Sequence, residues 1–120
     1  MGVDGADPRS SLHALYRARR VAVRRQEHVE RLVDAVAQHL PEIDRILEGA
    51  LENWRLPRLG VVDRCVLRLG AAELLHLPDV PPRVAIQEAV RLAERYGSNE
   101  SAGFVNGVLD AVYRTQVESR

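Results

Sequence analysis

The chain has 120 residues, zero formal net charge from 17 basic and 17 acidic residues, and 46% hydrophobic content. That length suits one domain, residues 1–120, with a core of its own. No apolar run reaches the roughly 20 residues that span a bilayer, and the start MGVDGADPRSS carries two aspartates and no hydrophobic segment, so a cytoplasmic protein without membrane contact is expected. A single cysteine, Cys65, excludes an internal disulfide, and its setting VDRCVLRLG predicts a buried, inert thiol. Aromatic residues make up only 4% of the chain, which suits helices packed through Leu, Val and Ala.

Residues 1–10, with Gly, Asp and Pro, are expected to lack order. Residues 11–25 favour helix, with Leu12, Leu15 and Tyr16 as a small apolar face. The same stretch carries Arg17, Arg19, Arg20, Arg24 and Arg25, and the chain has no lysine. Guanidinium forks suit phosphates and base edges. Val29, Leu32, Val33, Val36 and Leu40 then recur at steps of three and four, the mark of an amphipathic helix. Pro41 can occupy the first turn of the next helix, whose apolar face is Ile43, Ile46, Leu47 and Leu51. The stretch Asn53–Pro57 breaks it.

Residues 58–77 read as the longest apolar helix, with Leu59, Val62, Val66 and Leu69 on one stripe and Cys65, Ala72, Leu74 and Leu75 widening it. Such a helix should lie centrally. Pro78–Pro82 ends it and opens another, with Ile86, Ala89, Val90, Ala93 and Tyr96 facing inward and Gly97 as its C-terminal cap. Ser98 or Asn99 is the expected N-cap of the last helix, about 99–116, whose core stripe is Val105, Val108, Leu109 and Val112. Within that helix Gly103 and Gly107 each cost about 1 kcal/mol against alanine. They are expected to act in helix packing, as notches admitting the 58–77 helix at Gly70-Ala71-Ala72. The fold reading is an all-α bundle of about five or six helices, with 11–27 as an arginine-rich helix and 28–117 as the helical core.

No chemistry is spelled out. Metal-protease, zinc-knuckle, dinucleotide and phosphate-loop motifs are absent. His28 and His39 share a helix face but lie roughly 16 Å apart along it, so no metal is expected from the four histidines. Asp63 and Glu73 are about 15 Å apart on one helix and read as solvated or arginine-paired charges. No catalytic residue and no cofactor are expected; a binding protein is the better class.

Three stretches together have a specific order: ERLVDAVAQHLPEIDRILEGAL (30–51), NWRLPRLGVVDRCVLRLGAAELL (53–75) and DVPPRVAIQEAVRLAERYGSNESAGFVNGVLDAV (79–112). This order resembles the NusB family of bacterial transcription antitermination factors. The resemblance implies an all-α fold of two helical sub-bundles and a non-enzymatic role, and Trp54 is then expected to cover the joint between the sub-bundles. Such a protein pairs with ribosomal protein NusE, binds boxA-type single-stranded RNA of ribosomal operons, and serves the RNA polymerase antitermination complex. The front departs from the family pattern: either Ser11–Tyr16 or Arg17–Val23 matches the family's first helix, and in both registers roughly one helix is missing before Glu30. The N-terminal sub-bundle is therefore expected to be shortened.

Within that frame the expected RNA contacts are Arg17, Arg19, Arg20 and Arg24 for phosphates, Phe104 for base stacking, and Glu100 beside it; Asp63 falls at the position that faces NusE. Each has a plainer reading: a solvated helix face for the arginines, a core ring for Phe104, a favourable N-terminal helix charge for Glu100, and a pair with Arg58 or Arg64 for Asp63. Two rival functions keep the fold. One is a homodimeric or regulatory module that exposes apolar surface from Val29, Val33 and the 58–77 helix and has lost RNA binding. The other is a stand-alone relative of the NusB-like domain of ribosomal RNA methyltransferases.

Overall fold

The structure is a computed structural model that describes the backbone of residues 8–118 and the side chains of residues 23–118. Four α-helices and two short helical turns account for it, with no strand among the described residues. The chain divides into two compact units, residues 1–31 and 32–120. The all-α reading holds, with four helices in place of about five or six.

Helix α1 (Pro8–Ala50) joins the segments expected at 11–25 and 29–40 into one element, then kinks at His39, whose φ of −120° and ψ of 18° are not helical. Pro41 is the cause: it has no N–H to bond the carbonyl one turn back, and its ring crowds that carbonyl. The Pro41 boundary read from the sequence thus stands as the kink between two helical halves of α1, with Pro41 in the first turn of the second. Residues 1–7, and the side chains of Leu12, Leu15 and Tyr16, lie outside the described residues. In the first unit Val23 and Val29 are exposed, and Gln26 donates to Glu30 across one turn at 3.4 Å.

The second unit holds the core. After the kink, Ile43 and Leu47 are fully buried. A 3₁₀ turn (Leu56–Arg58) follows, its Leu56 N–H donating to Glu48 Oε1 at 3.0 Å, while Arg64 donates to the carbonyls of Pro57 and Leu59. These bonds fix the connection to helix α2 (Val61–His76). Arg68 of α2 forms two parallel 2.9 Å bonds with Asp44 of α1. That carboxylate raises the Arg68 pKa above its ordinary value, against the opposing effect of burial. The folded protein thus holds a proton that the unfolded chain would release first. The stability that comes from the Arg68 proton is fully present below the ordinary arginine pKa and is lost as pH rises above it, outside any physiological range.

Helices α3 (Pro82–Tyr96) and α4 (Ser101–Val112) pack on α2 and on each other. α3 meets its neighbours through Ala85, Ala89 and Ala93, one turn apart. Tyr96, expected inside, is 61% exposed, with the Arg95 guanidinium 5.6 Å from its ring centre. Gly97 caps α3 by donating to the Ala93 carbonyl at 2.9 Å, and a Cβ there would fall 2.5 Å from Ser101 Oγ and 2.8 Å from Ala93 O. Side-chain-free backbone is what lets the chain turn into α4. The N-cap of α4 is Glu100 instead of Ser98 or Asn99, and Ser101 reaches back to accept the Ser98 N–H at 2.9 Å. A π-helical turn (Tyr113–Glu118) closes the described chain.

The expected role of Gly103 and Gly107 is overturned. A Cβ on either would meet nothing within 4 Å. Val105, Val108, Leu109 and Val112 are the buried stripe, as read from the sequence. Each glycine precedes one of those residues by two positions, which is roughly 200° around a helix, so both face outward. The close approach between α2 and α4 exists, but its notch is Gly70: a Cβ there would lie 2.5 Å from Leu109 Cδ1 and 3.4 Å from Ala89 Cβ. Cys65 is exposed, and Glu73 is only 3% exposed in the core of α2, so neither the buried thiol nor the solvated glutamate is found.

Candidate functional site

A cleft of about 230 Å³ opens where the 3₁₀ turn, the N-terminus of α2 and the N-terminus of α4 converge. Its walls include Trp54, Asp63, Glu100 and Phe104. Three residues singled out separately in the sequence thus meet in one place: Asp63, Glu100 and Phe104. Phe104 is half-buried, with one side against the core and the other on the cleft. Trp54 does not cover a joint; it is 58% exposed and supplies a second ring to the same cleft.

The polar wall carries two carboxylates, Asp63 and Glu100, and one guanidinium, Arg58. Asp63 stands in the first turn of α2 and Glu100 caps α4, positions where a carboxylate offsets the positive end of the helix dipole. Asp63 Oδ1 is buried and accepts no hydrogen bond from within the chain, because the neighbouring Arg64 guanidinium is turned to the carbonyls of Pro57 and Leu59. An acceptor in that state is complemented by a donor from outside. Two rings, two carboxylates and the Arg58 guanidinium suit an unpaired base, with its amino groups meeting the carboxylates and its acceptors or phosphate meeting Arg58.

Gly103 and Gly107 floor a second, open groove of about 410 Å³, which shares Trp54 and Phe104 with the cleft. Of the expected phosphate contacts, Arg24 is exposed in the first unit. The side chains of Arg17, Arg19 and Arg20 lie outside the described residues.

The model of the NusB family matches residues 6–114. The chain belongs to the NusB family. It is 52% identical over 85 residues to the transcription antitermination protein NusB of Sorangium cellulosum, covering 71% of this chain and 61% of that protein. Among solved structures it resembles T. maritima NusB, with a TM-score of 0.71, 44% identity, and coverage of 74% of this chain and 63% of that one. It also resembles a chain in the crystal structure of antitermination factors NusB and NusE in complex with dsRNA, with a TM-score of 0.68, 41% identity, and coverage of 73% and 64%. The chain spans about half to three fifths of the length of the curated NusB relatives it matches. Among the described residues no helix is long and apolar enough to cross a membrane.

Within this NusB-family chain, sequence reasoning found the two acids and Phe104 but not the aromatic partner Trp54 or the groove beside it. The signal for the groove was present in the helical phase of Gly103 and Gly107; no local signal marks Trp54 as exposed. It also missed a contact between helices. His39, at the kink of α1, and His76, at the end of α2, stack with ring centres 3.8 Å apart and planes at 11°. Spacing along one helix could not reveal a pair made by two.

Proposed function

We propose that this NusB-family chain is a non-enzymatic transcription antitermination factor of the cytoplasm. It binds boxA-type single-stranded RNA of ribosomal operons together with a NusE-type protein, and through them serves the RNA polymerase antitermination complex. The observation that carries the reading is the convergence of Asp63, Glu100 and Phe104 on one cleft. Phe104, with Trp54 beside it, offers a face for an unpaired base. Glu100 accepts from a base amino group. Asp63, with an unmet acceptor oxygen, takes a donor from the protein partner. The arginines of the first unit, Arg17, Arg19, Arg20 and Arg24, contribute phosphate contacts and a salt-dependent share of the affinity.

The test is a titration of boxA-type RNA at two salt concentrations, with and without NusE. Two results support the reading: tighter binding with NusE, and a salt slope that flattens when the four arginines become alanine, by about 0.7 for each phosphate released from an arginine. Equal affinity for an unrelated RNA, or a slope unmoved by those substitutions, overturns it.

One observation favours the homodimer as a second reading: Val29 and Val33 are 56% and 54% exposed. Light scattering separates the two. A tight dimer that ignores both NusE and RNA supports the second, and a monomer that joins NusE supports the first.

A further inference from the structure

The stacked histidines have a third companion. His76 Nε2 lies 2.8 Å from Glu42 Oε1, and one ligand atom from each of His39, Glu42 and His76 falls within 4.8 Å of the other two. All three belong to the second unit. We propose that they form a site for a divalent transition-metal ion of the zinc class, bound by two imidazole nitrogens and one carboxylate, with water completing the shell.

The donor set selects the ion. Two imidazoles with one carboxylate suit zinc and its neighbours, whereas magnesium and calcium take oxygen ligands. Zinc holds nitrogen and oxygen donors at about 2.0–2.1 Å, so neighbouring donors in a tetrahedral shell stand about 3.3 Å apart. The His76–Glu42 edge is already slightly shorter than this. The remaining edges, each within 4.8 Å, close by at most about 1.5 Å, and the His39 ring turns out of its parallel stack on His76 so that both in-plane lone pairs converge on one ion.

Access and placement fit as well. The His76 and Glu42 side chains are 21% and 46% exposed, open enough to admit a hydrated ion and partly shielded once it is bound. His39 sits at the non-helical point of α1, Glu42 follows just past Pro41, and His76 is the last residue of α2. The Pro41 kink is therefore also what frees the His39 ring from a regular helical position to lie over His76. An ion there ties the kinked helix to the end of the central one, adding to the Arg68–Asp44 bonds about two helical turns earlier in α2.

The test uses the full chain with zinc and cobalt salts. Zinc should raise the Tm by about 10 °C at a free concentration a hundredfold above the Kd. One equivalent of cobalt should give the intense visible absorption of a four-coordinate centre and broaden the ring signals of His39 and His76 in NMR spectra. Both effects should vanish in the His39→Gln/His76→Gln double variant, whose circular dichroism reports that it is folded. No Tm change with zinc in the native chain overturns the proposal. So does an unchanged shift in the double variant, or broadening at His13 or His28 instead. The cobalt measurement needs no variant, so the proposal stays testable if the double variant fails to fold.

Discussion

The two sides of α4 use small and large residues in opposite ways. On the inner side, Leu109 is fully buried and its methyl groups fill the space where Gly70 of α2 has no side chain. On the outer side, Gly103 and Gly107 leave open space and floor a groove beside Phe104. A glycine in a helix is therefore not a packing signal by itself. What decides is the helical phase relative to the buried stripe: Gly70 lies on the inner phase of α2, and the α4 glycines lie off theirs. On the inner side the cost of glycine is offset by dispersion contacts. On the outer side nothing within the chain offsets it, which makes that surface the place to look for a ligand.

The largest test of this contrast is Leu109→Ala. Removing a fully buried leucine that fills a glycine notch should destabilise the fold by about 3 kcal/mol, read from urea unfolding. The RNA affinity of the folded fraction should stay unchanged. A loss under about 1 kcal/mol, far below the usual range for a buried leucine, would show that the notch is not a tight fit.

Phe104→Ala should act the other way round. A base stacked on an aromatic ring contributes about 1–3 kcal/mol, so boxA-type RNA should bind roughly tenfold more weakly. Phe104→Leu retains most of the packing on the core and should lose nearly as much affinity. If the leucine variant binds like the native chain, Phe104 is a core residue and the cleft does not stack bases.

Gly70→Ala probes the notch from the α2 side. The added methyl collides with Leu109, and overpacking costs about 1–3 kcal/mol. Alanine's better helix propensity returns about 1 kcal/mol. The net should be a destabilisation of roughly 1 kcal/mol, the difference of those two effects, measurable as a lower thermal midpoint. An increase in stability would mean that Leu109 swings aside freely.

These substitutions also mark how far the sequence could be read. Local chemistry was legible. Pro41, Pro82 and Gly97 act where their backbone constraints require, and the Val105–Val112 stripe is buried as its spacing indicates. The acids of the cleft were legible through the family resemblance, Asp63 in its Val-Asp-Arg stretch and Glu100 beside Phe104, and both stand at helix N-termini. Tertiary outcomes were not. Cys65 is exposed although its neighbours are apolar, because Val66 and Leu67 take the inward phase and turn it outward. Glu73 is buried although charged. The His39–His76 stack needs the geometry of two helices, which no single-helix period contains. The error over Gly103 and Gly107 is of another kind: counting two positions to Val105 and Leu109 was enough to place them outward, and residue size was read without phase.

The smallest effect settles that last point. Gly103→Ala and Gly107→Ala add a methyl to open space in a helix interior. Each should stabilise the fold by about 0.5–1 kcal/mol through helix propensity alone. If the outer groove only faces solvent, the gain carries no other consequence, and RNA and NusE affinities stay as they were. If the groove admits part of the RNA–NusE assembly, the same methyls raise its floor beside Phe104 and weaken binding while the chain grows more stable. Stability rising as affinity falls would mark the glycines as binding-surface residues; a loss of stability would return them to packing.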